Sequence, residues 1–281
     1  YDEAKKLVIS SLEVMGKSYV EVIKKAFSDN WIDVYPKKNK RDGGYCTCAY
    51  LAHPYVVINY EGKLDDVSTL IHELGHAMHY YYAQNFNTYE DYNYSIFVAE
   101  VASQVNEIIL TNYMLNHTDN IDEKKYILDS ILQRFKATMI RQTMFAHFED
   151  NLHNKEMNGT VLTKELVQKE YLDLNKLYFG PNVEVDEDIK YECYRIPHFY
   201  YNFYVYQYAT GYAAALKIAN DIINKKDGAL ENYIKFLKLG STLDPVKSLK
   251  VAGVDIQSPS LYDEVFEFFD EKRKELESLY E

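Results

Sequence analysis

The chain is short of cysteine, of long apolar runs and of basic charge, and each shortage removes a class of protein. Its three cysteines, Cys46, Cys48 and Cys193, form an odd set with no disulfide framework, which excludes a small stapled scaffold and suits a reducing compartment. Cys46 and Cys48 would share a face of a strand. No histidine cluster accompanies them, so they read as buried thiols rather than a second metal site. No run of 18 apolar residues and no signal-peptide pattern is seen, so the expectation is a cytoplasmic protein with no membrane partner. A net charge of -12 argues against a nucleic-acid partner, because a phosphate backbone calls for a basic surface. Repeats, low-complexity tracts and Pro/Gly/Ser linkers are missing too. The 281 residues, 47% of them hydrophobic, therefore read as one domain around one sizeable core.

What is present is mostly helical periodicity. Residues 4 to about 30 are amphipathic, and residues 31–42 form a polar, lysine-rich connection. Residues 43–60 are rich in Tyr, Val, Ile and Thr and interrupted by Pro54, which predicts two short strands before a turn at Gly62. Helical patterns follow over residues 65–116, 121–153 and 163–178, and a further helix is expected to start near Pro197. The fold class is thus mainly α, with a small sheet directly ahead of the helix that begins near Asp65. An edge strand in that position could pair with the backbone of an extended peptide.

That helix carries His72-Glu-Leu-Gly-His76. Two histidines four residues apart stand about 40° from each other around a helix, so both rings can reach one metal ion. Glu73 lies one step around, placed to act on water rather than as a ligand. Asp65 and Asp66 offer N-cap side chains, and Val67, Leu70, Ile71, Leu74, Met78 and Tyr81 make an apolar stripe beside the histidine face. Gly75 weakens a helix interior by about 1 kcal/mol relative to alanine, which suggests a close approach there, with the backbone on the substrate side as the candidate neighbour.

His79 shares the face, but three ligands over seven residues of one straight helix would strain a tetrahedron, so its expected role is packing or support of a ligand. The pattern His-Glu-x-x-His-x-x-Gly-x-x-His is excluded, because His79 stands at its glycine position and Tyr82 at its last histidine. The other solution is a glutamate from a following helix. Glu100, Ser103 and Glu107 share a face of the next helical run, with Glu100 the better ligand and Glu107 either a support for a ligand imidazole or a solvated residue. A zinc ion held by two neutral imidazoles and one carboxylate keeps net positive charge and acidifies water, whose proton Glu73 can take and pass to a leaving amine.

His72-Glu-Leu-Gly-His-Ala-Met-His79 with Phe97-Val-Ala-Glu-Val-Ala-Ser103 resembles the oligoendopeptidase F branch of the thimet oligopeptidase family of zinc peptidases. Further likenesses are Tyr55-Val-Val-Ile-Asn-Tyr60 to the active-site strand, Arg195-Ile-Pro-His-Phe-Tyr-Tyr-Asn-Phe-Tyr204 to the family's His/Tyr segment, and Ala252-Gly-Val-Asp255 to its closing motif. The resemblance implies a zincin-like helical catalytic domain, and endopeptidase action on short peptides with His72, His76 and Glu100 on Zn2+ and Glu73 as base. It also implies that His198 and tyrosines near it, with Tyr201, Tyr204 and Tyr208 as candidates, donate hydrogen bonds to the anionic oxygen formed when water attacks a carbonyl. Relatives carry a long helical region ahead of this part, so the chain is expected to be the catalytic C-terminal half of a longer protein. Two rival readings are an exopeptidase, for which Arg195 could bind a substrate terminus, and a zinc-dependent peptide-binding module without turnover, which Glu73 argues against.

Overall fold

Residues 1–281 are described by a computed structural model, and its longest helix, α3 (Leu64–Phe86), carries the histidine pair. The helix starts one residue before the aspartates that the sequence offers as caps. Asp66 serves from inside the first turn, its carboxylate accepting from the backbone N–H of Glu61 at 2.8 Å and of Lys63 at 2.9 Å. Val67, Leu70, Ile71, Leu74 and Met78 are buried as the helical period requires. Each such side chain, fully buried, stabilises the fold by about 1.5–3 kcal/mol.

The helical pattern over residues 65–116 is two helices, since α3 ends at Asn87 and α4 (Ile96–Asn116) restarts after Ser95, whose hydroxyl accepts from the N–H of Phe97 at 3.3 Å. Neither Pro nor Gly makes the break. Asn87, Thr88, Asp91, Asn93 and Ser95 carry short polar side chains that compete for backbone groups, and Asn87 Nδ2 donates to the carbonyls of Ala83 and Lys238, each at 2.7 Å. The two helices then pack along each other. At Gly75 they come so close that an added Cβ would lie 2.5 Å from Ser103 Cα and 2.6 Å from the Ala102 carbonyl oxygen. The glycine's neighbour is therefore the α4 backbone, not the substrate-side backbone expected from sequence.

A three-stranded sheet packs on α3. Its strands β1 (Ile32–Asp33), β2 (Tyr45–Thr47) and β3 (Tyr55–Val57) run in the order β1-β3-β2, with β1 parallel and β2 antiparallel to β3. The sequence pattern anticipates β2 and β3, whereas β1 lies in the stretch read as a connection. It forms because Trp31 and Asp33 present carbonyls to the N–H groups of Val56 and Ile58, at 2.8 and 3.0 Å, a partnership between residues far apart in the chain. Residues 4–30, read as one helix, are divided into α1 (Asp2–Ser11), a 3-10 turn and α2 (Lys17–Ser28) by Gly16, which sits at φ 80°.

The chain divides into two compact units, residues 1–132 with 211–281 and residues 133–210. Both boundaries fall inside helices, in α5 (Ile121–Phe135) and α8 (Tyr206–Ile223), so no linker composition marks them. The first unit holds α1–α4, the sheet, and α9 (Ala229–Leu237), α10 (Pro245–Val251) and α11 (Pro259–Ser278). The second holds α6 (Arg141–Met157) and α7 (Lys164–Phe179) around Met144, Phe145, Phe148, Tyr171 and Leu174. A π-helical turn at Lys136–Ile140 interrupts the run predicted over residues 121–153. No helix is long and apolar enough to cross a membrane.

The helix expected from Pro197 does not form. Pro197–Tyr201 is a 3-10 turn, followed by Asn202 at φ 54° and Phe203 at φ 53°, and only then by α8. Left-handed backbone at a residue other than glycine costs about 1–3 kcal/mol, so this bend has to be held from outside.

The Gly75 contact yields a direct test. Gly75→Ala drives a methyl group into backbone that cannot rotate away, and overpacking of this kind costs about 1–3 kcal/mol or more. Thermal denaturation and zinc titration should show a lower Tm and weaker metal binding, because Glu100 moves away from the histidines. Unchanged values would mean that the α3–α4 contact tolerates expansion.

Candidate metal centre

His72 and His76 project from successive turns of α3, and Glu100 comes from α4. Their facing atoms form a nearly equilateral triangle: His72 Nε2 to His76 Nε2 is 3.2 Å, His72 Nε2 to Glu100 Oε2 is 3.4 Å, and His76 Nε2 to Glu100 Oε2 is 3.6 Å. A tetrahedral zinc with bonds of about 2.0–2.1 Å needs ligand atoms about 3.3 Å apart. Two imidazole nitrogens and one carboxylate oxygen are also the ligand chemistry that zinc favours in catalytic sites, with the fourth position open. The residues present fit the ion.

Groups behind the triangle aim its members. Glu107 Oε1 lies 3.5 Å from His72 Nδ1, the supporting role that sequence left open beside a solvated one. The backbone of Ala99 engages His76. Ser103, noted in the sequence only as sharing the Glu100 face, donates its hydroxyl to Glu100 Oε2 at 3.0 Å. Such contacts fix ring orientation and ligand basicity.

The electrostatics of the cluster favour positive charge at its centre. Burial alone would lower the pKa of His72, yet the carboxylates of Glu100 and Glu107 outweigh it and raise the value to about 10. In the metal-free protein a proton on His72 therefore stands where positive charge is wanted. Burial, joined by the charge on His72, pulls His76 down to about 4. Burial pushes Glu100 up, but His72, His76 and Ser103 prevail and hold it at about 2.

Glu73 is buried one step around α3, and its Oε2 has no hydrogen-bond partner. Burial is the main cause that lifts its pKa to about 7; the charge on His72 opposes the shift, and Glu100 and Glu107 add to it. Gly44 clears space for this carboxylate, because a Cβ there would lie 3.0 Å from Glu73 Oε1 and 2.8 Å from Thr69 Cγ2. Sequence reading placed Gly44 at the start of a strand and missed this contact, for which local pattern holds no signal. His79 is fully buried and outside the triangle. Its ring stacks on Tyr94 with centroids 3.6 Å apart and meets Phe236 at 5.3 Å, and burial, with the charge on His76, pulls its pKa down to about 3. It packs as a neutral ring.

Over residues 4–268 the chain matches Peptidase family M3. The chain belongs to that family. It is 44% identical over 279 residues to Oligopeptidase PepF of Bacillus subtilis, covering 99% of this chain and 42% of that protein. It is 39% identical to an oligoendopeptidase F homologue of Borreliella burgdorferi, covering 100% of this chain and 48% of the other. Among solved structures, oligoendopeptidase-F from Enterococcus faecium superposes with a TM-score of 0.77 at 36% identity, over 99% of this chain and 43% of that one. The chain thus spans about half the length of the curated relatives it matches.

Residues 195–204, which the sequence likens to a His/Tyr segment, lie in the second unit. The helix expected from Pro197 being absent, His198, Tyr201, Tyr204 and Tyr208 fold into an aromatic cluster. The His198 ring stacks on Tyr204 at 5.7 Å and meets Tyr208 at 6.0 Å and Tyr201 at 6.1 Å edge to face. Tyr208 Oη is 3.4 Å from His198 Nε2. Arg195 donates to Glu192 Oε1 at 2.6 Å, and Arg141 reaches the same oxygen at 2.7 Å. Cys46, Cys48 and Cys193 are free, and burial raises the pKa of each thiol.

The raised pKa of His72 moves the acid sensitivity of metal binding away from the ordinary histidine value near 6.5. Below about 10, zinc must displace a proton from His72, so affinity should rise with pH, by about tenfold per unit, up to that value. Calorimetry at pH 8 in buffers of different ionisation enthalpy should find about one proton released per zinc bound; none would mean that His72 is already neutral. Glu100→Ala should lose zinc, and His79→Ala should keep it, by metal analysis after dialysis. The reverse order would move the third ligand off α4.

Proposed function

We propose that this chain carries the active site of a zinc-dependent endopeptidase that hydrolyses peptide bonds in short oligopeptides. The observation that carries the proposal is the pairing of the His72/His76/Glu100 triangle with a buried carboxylate, Glu73, that has a free oxygen. Membership of Peptidase family M3 and likeness to named oligoendopeptidases support the substrate class. Zinc on those three ligands would supply Lewis acidity, polarising the carbonyl to be cleaved and lowering the pKa of water.

Each residue then has a task that its surroundings suit. Glu73, lifted to about 7 by burial and drawn down again by any cation in the triangle, takes a proton from the attacking water and returns it to the leaving amine. Glu107 and Ser103 keep His72 and Glu100 in register. His198, with Tyr201, Tyr204 and Tyr208, supplies N–H and O–H donors to the oxygen that becomes anionic during attack. The outer edge of β2 is unpaired, and this sheet packs on α3, so an extended substrate can add to it as a further strand. An exopeptidase would need a free charged group for a substrate terminus. Arg195, the candidate for that task, is engaged by Glu192, which favours the endopeptidase reading.

A peptide blocked at both ends separates these alternatives. With zinc present the chain should cleave it internally, and mass spectrometry of the products should find both fragments; cleavage of unblocked peptides alone would favour the exopeptidase. Glu73→Gln deletes the base and no ligand. Turnover should drop by at least about a hundredfold, with zinc stoichiometry unchanged, whereas near-native turnover would remove Glu73 from the mechanism.

A further inference from the structure

Ten residues separate His198 from Tyr208, and on the straight helix that the sequence suggests they would lie about 15 Å apart along the axis. They meet, at 3.4 Å, only because the chain turns at Asn202 and Phe203, two consecutive non-glycine residues with left-handed φ. Such a bend is strained and relaxes unless something over-determines it. One buried group is in position to do so. Glu149, 4% exposed on α6, accepts from the N–H of Phe203 at 2.7 Å, and its other oxygen, Oε2, is buried without a partner. One helical turn further along α6, the His153 ring packs on the Phe203 ring with centroids 4.5 Å apart. α6 thus grips the bend at the backbone and the side chain of one residue.

We propose that Glu149 is a positioning residue, which holds the Asn202–Phe203 bend and thereby keeps His198 in register with Tyr204 and Tyr208. The proposal rests on the reading of this cluster as the donor set for the anionic oxygen. A buried side-chain oxygen suits the task because it gives the Phe203 N–H an acceptor away from competing water, and because α6 is anchored by Phe145 and Phe148 in the core of the same unit. The bend is fixed to a rigid element rather than to a loop. Asn202 fits the same scheme, since asparagine tolerates left-handed backbone better than most residues.

The test uses the zinc-loaded chain, a peptide blocked at both ends, and nuclear magnetic resonance of labelled histidine, with the His198 signal assigned by its loss in His198→Gln. Glu149→Ala should shift the His198 signal and lower kcat by about 10- to 100-fold, the effect of misplacing a donor by an ångström or so, with KM and zinc content unchanged. Glu149→Gln keeps an oxygen for the Phe203 N–H and should stay within about threefold of the parent. Adding Asn202→Gly to Glu149→Ala should recover several-fold of the loss, because glycine adopts the bend without strain. If Glu149→Ala fails to fold, Glu149→Asp, one methylene too short to reach Phe203, takes its place beside Glu149→Gln. An unmoved His198 signal with kcat within about twofold would overturn the proposal. So would equal loss in the Ala and Gln variants without rescue by Asn202→Gly, which would assign the effect to buried charge. A parent-like kcat in His198→Gln would instead remove the donor reading, while the movement of the His198 signal in the Glu149 variants would still report on the bend.

Discussion

The candidate metal centre depends on how near two helices can come. His72 and His76 are set by α3 alone, but Glu100 belongs to α4, and its carboxylate completes a triangle with sides of 3.2 to 3.6 Å only while the backbones touch at Gly75. Any side chain at that position would push α4 outward. A glycine in a helix interior gives up about 1 kcal/mol of helix propensity relative to alanine, which the buried faces of the two helices offset many times over. The same contact brings Ser103 beside Glu100 and Glu107 behind His72, so one close approach orders both the ligands and the groups that aim them.

Charge completes what packing begins. Two carboxylates converge on His72, and a third, Glu73, lies buried alongside with one oxygen that has no hydrogen-bond partner. Left to itself such a cluster retains a proton on His72 and raises Glu73, a state that a divalent cation relieves. The arrangement makes sense as a receptor for an ion and poor sense as a device for stability, since buried carboxylates without a cation weaken a fold.

The second unit solves a different problem. With 28 tyrosines in the chain, aromatic contacts are common and few need carry chemistry. The cluster of His198, Tyr201, Tyr204 and Tyr208 stands apart because a strained bend, rather than helical periodicity, assembles it. Strain concentrated at one turn and met by a buried carboxylate on a neighbouring helix is the pattern of a segment held in place for use.

Local pattern was enough to locate the His72/His76 helix, the glutamate run around Glu100, the strand pair around Pro54 and the mainly helical class, because periodicity and ligand spacing are properties of neighbouring residues. Even the place of His79 outside the triangle could be argued from helix rise. What local pattern could not reach were relations between distant segments: β1 exists because β3 offers it partners, α3 ends at Asn87 partly because Lys238 accepts a hydrogen bond there, and Gly44 matters because Glu73 lies against it. The geometry at Tyr208 escaped for the same reason, since a straight helix is the cheapest local answer from Pro197 onward, and the bent one is met by Glu149 and His153 from α6, a helix distant in the chain. The sequence by itself determined which residues could bind and polarise. Tertiary structure decided which of them meet and what charge they carry, because close approach of helices, burial and bend strain arise only when distant parts of the chain pack together.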